Sequence, residues 1–166
     1  MTVTKRRHAV RAVVLSEADH TVLLLRMQHP DRPSDFWLLP GGGVQPHETS
    51  IEALRRELWE ETGLALTSKP TLLWRRAHQF ERGINEDAQV IEQHEEIYLV
   101  SARQFEPSAH NNPEPSQVGS FQEYRWWSIA ELKAATREQF APRALPALVE
   151  GLVSRGPPPS PVFLCD

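Results

Sequence analysis

Residues 40–64, PGGGVQPHETSIEALRRELWEETGL, constrain this chain more than any other segment. Thr49 is a good N-cap and Glu52 stands three residues on, the spacing of a capping box, so a helix is predicted over 50–62. Ile51, Leu54 and Leu58 fall at i, i+3 and i+7 and make a core-facing stripe. Gly63 is well placed to end the helix in the left-handed conformation. Roughly opposite the stripe stand Glu57, Glu60 and Glu61, three carboxylates on one helical face. Like charges so close repel, and a divalent cation removes that cost. Oxygen-only ligands favour Mg²⁺, Mn²⁺ or Ca²⁺ over zinc or copper. The Gly-rich turn can bring backbone close to a bound group, Glu48 adds a fourth acid, and Arg56 can orient a carboxylate through a bidentate pair.

The rest of the chain sets the frame for that segment. Its 166 residues suit one domain with a real core. We expect a single domain over 1–156 and a Pro-rich C-terminal tail over 157–166, stiff and extended. Two Val/Leu-rich runs, 8–15 and 21–26, flank a polar loop and read as a hairpin. A polar loop with Pro30 and Pro33 follows, and then a short strand over 36–39 that Pro40–Gly43 stops. Further strands are predicted at 71–80, 95–101 and 123–127, with a loop between the first two and an irregular connection over 106–120. Ser128 and Glu131 form a second capping box, and a last helix is predicted around 142–153. Many short strands with few helices imply an α/β fold with a mixed sheet between helices.

The segment resembles the Nudix box, G-x5-E-x7-R-E-U-x-E-E-x-G-U with U apolar, at every fixed position. Those positions are Gly42, Glu48, Arg56, Glu57, Leu58, Glu60, Glu61, Gly63 and Leu64. The resemblance implies an α/β/α sandwich and Mg²⁺-dependent (or Mn²⁺-dependent) hydrolysis of a nucleoside diphosphate linked to another moiety, X. It also implies that Glu57 and Glu61 are the main metal ligands, and that Glu60 is a further ligand or the group that activates water. Arg56 resembles the orienting arginine and Glu48 a supporting acid. His47 stands where family members often have Gly; a positive φ there would strain it. Family members often use one more acid outside the box. Glu95 ranks before Glu96 and Glu123, because it shares a strand face with Ile97 and Leu99.

Gly42, Arg75 and Arg76 are the candidate substrate contacts, the arginines for phosphate. Trp37, Trp74, Trp126, Trp127 and Phe80 can stack on a base, although aromatics in such a domain usually pack the core. His78 and His94 can titrate near neutral pH. Signatures of particular subgroups are absent: Gln79 stands near the proline position of ADP-ribose pyrophosphatases, and neither the dinucleoside-polyphosphatase tyrosine nor the NADH-pyrophosphatase array is found. The expected partner is a small nucleotide-like substrate such as a nucleotide, a nucleotide sugar or an oxidised dNTP. A net charge of −4 argues against a broad nucleic-acid footprint. No apolar run approaches a membrane span, and Lys5–Arg7 with the broken run after it fails as a signal peptide, so a cytoplasmic protein is expected. One cysteine, Cys165, allows no internal disulfide and sits poorly for the isomerase related to this family. A homodimer is left open, and the competing reading is a non-catalytic nucleotide-sensing module.

Overall fold

The computed structural model describes residues 3, 5–29, 33–83, 85–114 and 120–165. The expected loop at Pro30 and part of the connection over 106–120 lie outside the described residues. Strand β1, Lys5–Ser16, is apolar on both faces from Ala9 to Leu15 except at Arg11, which marks it as a central strand. It pairs antiparallel with β2, Thr21–Gln28, as the hairpin predicted, and parallel with β6, Gln89–Ser101. Strand β3, Asp35–Leu38, flanks β2, and β5, Thr71–Arg82, flanks β6. Strand β7, Phe121–Ser128, also pairs with β2. Strand β3 ends before the Gly-rich turn, as predicted, and that turn forms the short β4, Gly41–Gly43, which folds back on Ala9–Arg11 of β1. Strands β8, Phe140–Ala141, and β9, Val162–Leu164, close the two ends of the order β8-β3-β2-β1-β6-β5-β9.

Helices cover both faces. Helix α1, Ser50–Thr62, buries Ala53, Leu54 and Leu58 against Val10, Ala12, Val14 and Leu23. Helices α2, Ile129–Ala134, and α3, Leu145–Arg155, cover the other face, where Leu132, Leu145, Val149 and Leu152 meet Val13, Leu15, Trp37 and Trp127. The alternation along β1 thus feeds two cores, and the α/β/α sandwich follows from it. Both predicted capping boxes form, at Thr49/Glu52 and Ser128/Glu131. Gly63 ends α1 at φ 78 and donates its N–H to the Trp59 carbonyl.

The largest departure from expectation lies in β6, which starts at Gln89 instead of 95. Its first half carries buried Gln93 and Glu95, whose polarity hides the strand period. The flanking strands supply the arginines that make such burial tolerable, and no local pattern reports them. Helix α3 begins at Leu145, three residues later than expected. The Pro-rich tail carries β9, which pairs in parallel with Trp74–Arg76 of β5.

Candidate active site

Because β4 pairs with β1, it lies directly over α1. A Cβ on Gly42 would stand 2.5 Å from the Glu57 carboxylate, so only glycine lets backbone and carboxylate approach this closely. The neighbouring Gly41 N–H donates to Glu61 Oε2 at 2.8 Å. The Tyr124 hydroxyl donates to the Glu61 backbone carbonyl from the β7 side.

Arg56 organises the acids. Its Nε donates to Glu48 Oε2 at 2.8 Å and its Nη2 to Glu48 Oε1 at 2.9 Å, a two-pronged grip. Nη1 donates to Glu57 Oε1 at 2.8 Å and to Glu60 Oε2 at 3.4 Å, while Nη2 also reaches the Gly43 carbonyl at 2.9 Å. The Arg56 hydrogen bonds, with the Gln45 N–H, hold Glu48 below the usual carboxylate range. Burial pushes Glu57 up despite Arg56, and Glu60 repels it further. Glu61 is pushed up to about 7, first by burial and then by the charges of Glu57 and Glu60, against the opposing pull of the Gly41 N–H and Arg11.

Arg56, Glu57, Glu60 and Glu61 line a cleft of about 660 Å³, which Glu48 does not line. Its charged lining residues are Glu57, Glu60, Glu61, Glu114, Arg56, Arg7 and Arg11. Leu25, Met27, Leu38, Phe121 and Tyr124 line the same cleft, and the Phe121 and Tyr124 rings lie 4.6 Å apart. A lining that mixes convergent charges with apolar and aromatic side chains suits a ligand that carries both a phosphate and a flat ring. Among the described residues no three acidic, cysteine or histidine side chains converge as a closed metal cage. Arg56 Nη1 is shared by Glu57 and Glu60, and the charge of Glu60 acts on both Glu57 and Glu61.

Several predicted site residues fall elsewhere. Glu95 does not reach the cleft: its side chain is 1% exposed and lies within a web of donors. Arg11 Nε donates at 2.9 Å, Gln93 Nε2 at 2.7 Å and Arg76 Nη1 at 3.1 Å, with His78 Nε2 at 3.4 Å. Burial would raise the Glu95 pKa, but the Arg11 charge, the His78 and Arg11 hydrogen bonds and the Arg76 charge hold it far below the usual range. Glu95, expected as the additional acid outside the box, is thus placed beside Arg11 and Arg76 and does not line the carboxylate cleft. Glu96 accepts from the Ser50 hydroxyl, and Glu123 pairs with Arg26 at 3.0 Å; neither lines the cleft. Arg75 and Arg76 line a separate cavity on the other side of the 44–46 turn, so they are not contacts of the carboxylate cleft. Trp37, Trp74 and Trp127 are core residues, and Trp126 packs edge-on against Phe105. Phe80 stacks with His78, and His94 meets Glu92 at 2.7 Å.

Arg7, Arg11, Phe121 and Tyr124 were not singled out as site residues, yet all four line the cleft. Arg11 did leave a signal. An arginine inside a strand that is apolar on both faces needs a buried anionic partner, and Glu95 is that partner.

Comparison with known proteins places these observations. A family profile, the NUDIX domain, matches residues 5–148. The nucleoside triphosphatase NudI of Salmonella newport is 33% identical over 114 residues, covering 66% of this chain and 77% of that protein. The m7GpppN-mRNA hydrolase NUDT17 of Bos taurus is 41% identical over 73 residues, which are 40% of this chain. The match spans only 24% of that longer protein. Among solved structures, the MutT protein of Methanosarcina mazei Go1 has the same fold, with a TM-score of 0.58 at 23% identity over 93% of this chain and 97% of that one.

Proposed function

The chain belongs to the Nudix family, and from that premise we propose that it is a pyrophosphohydrolase that cleaves a diphosphate linkage in a nucleoside diphosphate derivative, with Mg²⁺ as its ion. The observation that carries this reading is the meeting of Glu57, Glu60 and Glu61 with Arg56 and the Gly-rich turn in one cleft that also holds an apolar wall. The activities named for the relatives, on nucleoside triphosphates and on mRNA caps, fall within that substrate class.

The donor set fits a hard divalent ion. Burial is the main cause that raises Glu57 and Glu61, and the charge of Glu60 adds to both, so a cation placed beside them would favour their ionised forms. Mg²⁺ commonly takes one or two carboxylates and completes its shell with water and substrate phosphate, so no closed cage of three acids is needed. Glu57 and Glu61 would hold it, with Glu60 as a further ligand or the group beside the water. Bound there, the ion supplies charge neutralisation of the diphosphate oxygens and activation of water.

The protein's own groups do the rest. Arg56 fixes the rotamers of Glu48, Glu57 and Glu60, and the Gly41 N–H fixes that of Glu61. We assign Glu60, which Arg56 meets at 3.4 Å against 2.8 Å for Glu57, to take the proton from the attacking water. Arg7 and Arg11 place positive charge where phosphate oxygens enter. Phe121, Tyr124, Leu25 and Met27 hold the base. Water adds to phosphorus, the bridging P–O bond breaks, and the leaving phosphate oxygen keeps the bond electrons. Glu95 acts at one remove: it positions Arg11, which also donates Nη1 to the Leu39 carbonyl at 3.0 Å.

Product formation separated by chromatography across dNTPs, 8-oxo-dGTP, ADP-ribose, NADH, a dinucleoside tetraphosphate and a 5′-triphosphate RNA, each with Mg²⁺ or Mn²⁺, tests the reading. Metal-dependent turnover of one class supports it. Silence with all of them, while one compound raises the melting temperature, points instead to a nucleotide-sensing module.

A further inference from the structure

Beyond the turn formed by Val44, Gln45 and Pro46 lies a second cavity of about 860 Å³ between β1, β5 and β6. Six cationic side chains line it: Lys5, Arg6, Arg7, Arg75, Arg76 and Arg82. Three are answered by carboxylates: Arg6 by Glu92 at 3.3 Å, Arg75 by Glu96 at 3.7 Å and Arg76 by Glu95 at 3.1 Å. Among the described residues, Lys5, Arg7 and Arg82 have no carboxylate at ion-pair distance. The excess is understated by this comparison, because Glu95 also serves Arg11.

Arg7 is the centre of the surplus. It is half-buried, its guanidinium packs against Gly43, and its hydrogen-bond acceptor is the neutral Gln93 amide oxygen at 3.1 Å. Burial lowers its pKa first and the charges of Arg11 and Arg82 add to that, outweighing the pull of Glu57 and Glu95. Cations gathered in a concave site without matching acids repel one another and concentrate an anion from solution. The site also adjoins the first cleft, since Arg7, Val44, Gln45 and Pro46 line both cavities. An anion held on one side of Arg7 therefore borders the carboxylate helix on the other.

We propose that the second cavity is a phosphate site that holds a phosphate group carried by X, the part of the substrate beyond the cleaved linkage. This rests on the diphosphate-hydrolase reading of the first cleft and narrows its substrate to compounds in which X is itself phosphorylated. Phe163 of β9, 62% exposed, stands at the lining and offers a flat apolar face to a ring on X.

The first test is calorimetric binding of inorganic tripolyphosphate in EDTA, where no turnover occurs. Lys5 and Arg82 are exposed and distant from the core, so Lys5→Gln with Arg82→Gln keeps the fold, checked by an unchanged melting curve. Wild type and Glu61→Gln are expected to bind alike, and the double variant about tenfold or more weaker, since a hydrogen bond to a charged group contributes that much. Equal binding by the double variant overturns the site. This arm needs no catalysis, so its failure is separable from failure of the hydrolase reading. The second test identifies the carrier of the phosphate. If X carries it, the double variant raises KM for a dinucleoside tetraphosphate about tenfold more than for a nucleoside triphosphate, with little change in kcat. An equal KM change for both substrates means that the site takes a free phosphate and overturns the assignment to X.

Discussion

Arg11 donates from Nε to Glu95 Oε1 at 2.9 Å, and this contact joins the centre of the sheet to the floor of the carboxylate cleft. Burial would lower the Arg11 pKa, but the charge and hydrogen bond of Glu95 raise it above its ordinary value. Glu95 is buried and Arg11 mostly so, and removing the carboxylate leaves Arg11 and Arg76 without their shared partner. Glu95→Ala is expected to lose about 3–5 kcal/mol of stability. Urea unfolding measures this. If Glu95 instead served as base, the same substitution would leave the midpoint almost unchanged while abolishing turnover. The pH profile separates the roles further: the acid limb of kcat should survive in Glu95→Gln.

Arg56 and Glu48 form the other pair whose geometry matters. Lysine cannot reproduce a fork that meets both Glu48 oxygens and also reaches Glu57. Arg56→Lys should therefore lower kcat by about ten- to a hundredfold, with the protein still folded. Glu48→Gln should do part of the same damage. The double variant should be little worse than Arg56→Lys alone, because both act through one arrangement. Full additivity in steady-state kinetics would show that they act separately.

How far the chain could be read depended on whether a feature was local. Helix α1, its caps and its three acids lie within one stretch of sequence, so spacing alone brings them together. The β1–β2 hairpin was legible for the same reason, as two apolar runs about a polar loop. The cleft's other half was not. Arg7 and Arg11 reach the acids only because β4 folds back on β1, which is a tertiary fact. Glu95 illustrates the limit: its strand face was readable, since it is buried with Ile97, but the arginines that surround it come from two other strands. The cavity lined by Arg75 and Arg76 likewise needs β1, β5 and β6 together.

His47 adopts φ 66, the left-handed region, in the turn before α1. The strain anticipated for a side chain there is present, and glycine relieves it. His47→Gly should stabilise the protein by about 1 kcal/mol. Thermal melting checks this; a lower melting temperature would mean that the imidazole makes a contact worth more than the strain.

Removal of the metal makes stability depend on Glu61. Its carboxyl sits at about 7 in the metal-free fold, above the ordinary value of 4.5. The folded state therefore holds its proton more tightly than the unfolded state does, and the stability present below the ordinary value is lost as pH rises to 7 and beyond. In EDTA, wild type should lose stability relative to Glu61→Gln between pH 5 and pH 8, by at most about 3 kcal/mol. Mg²⁺ should restore wild type at the higher pH and leave the variant unmoved. A difference between the two proteins that does not vary with pH would contradict this.

The central claim is that the acids of α1 hold the ion at which a diphosphate linkage is cleaved. The most direct measurement is the Mg²⁺-dependent initial rate on the best substrate of the panel, for wild type and for Glu61→Gln, with folding confirmed for both. Wild type is expected to show saturable Mg²⁺ dependence, and the variant a fall of at least about a hundredfold in kcat. A variant that turns over as fast as wild type, with the same Mg²⁺ dependence, would contradict it.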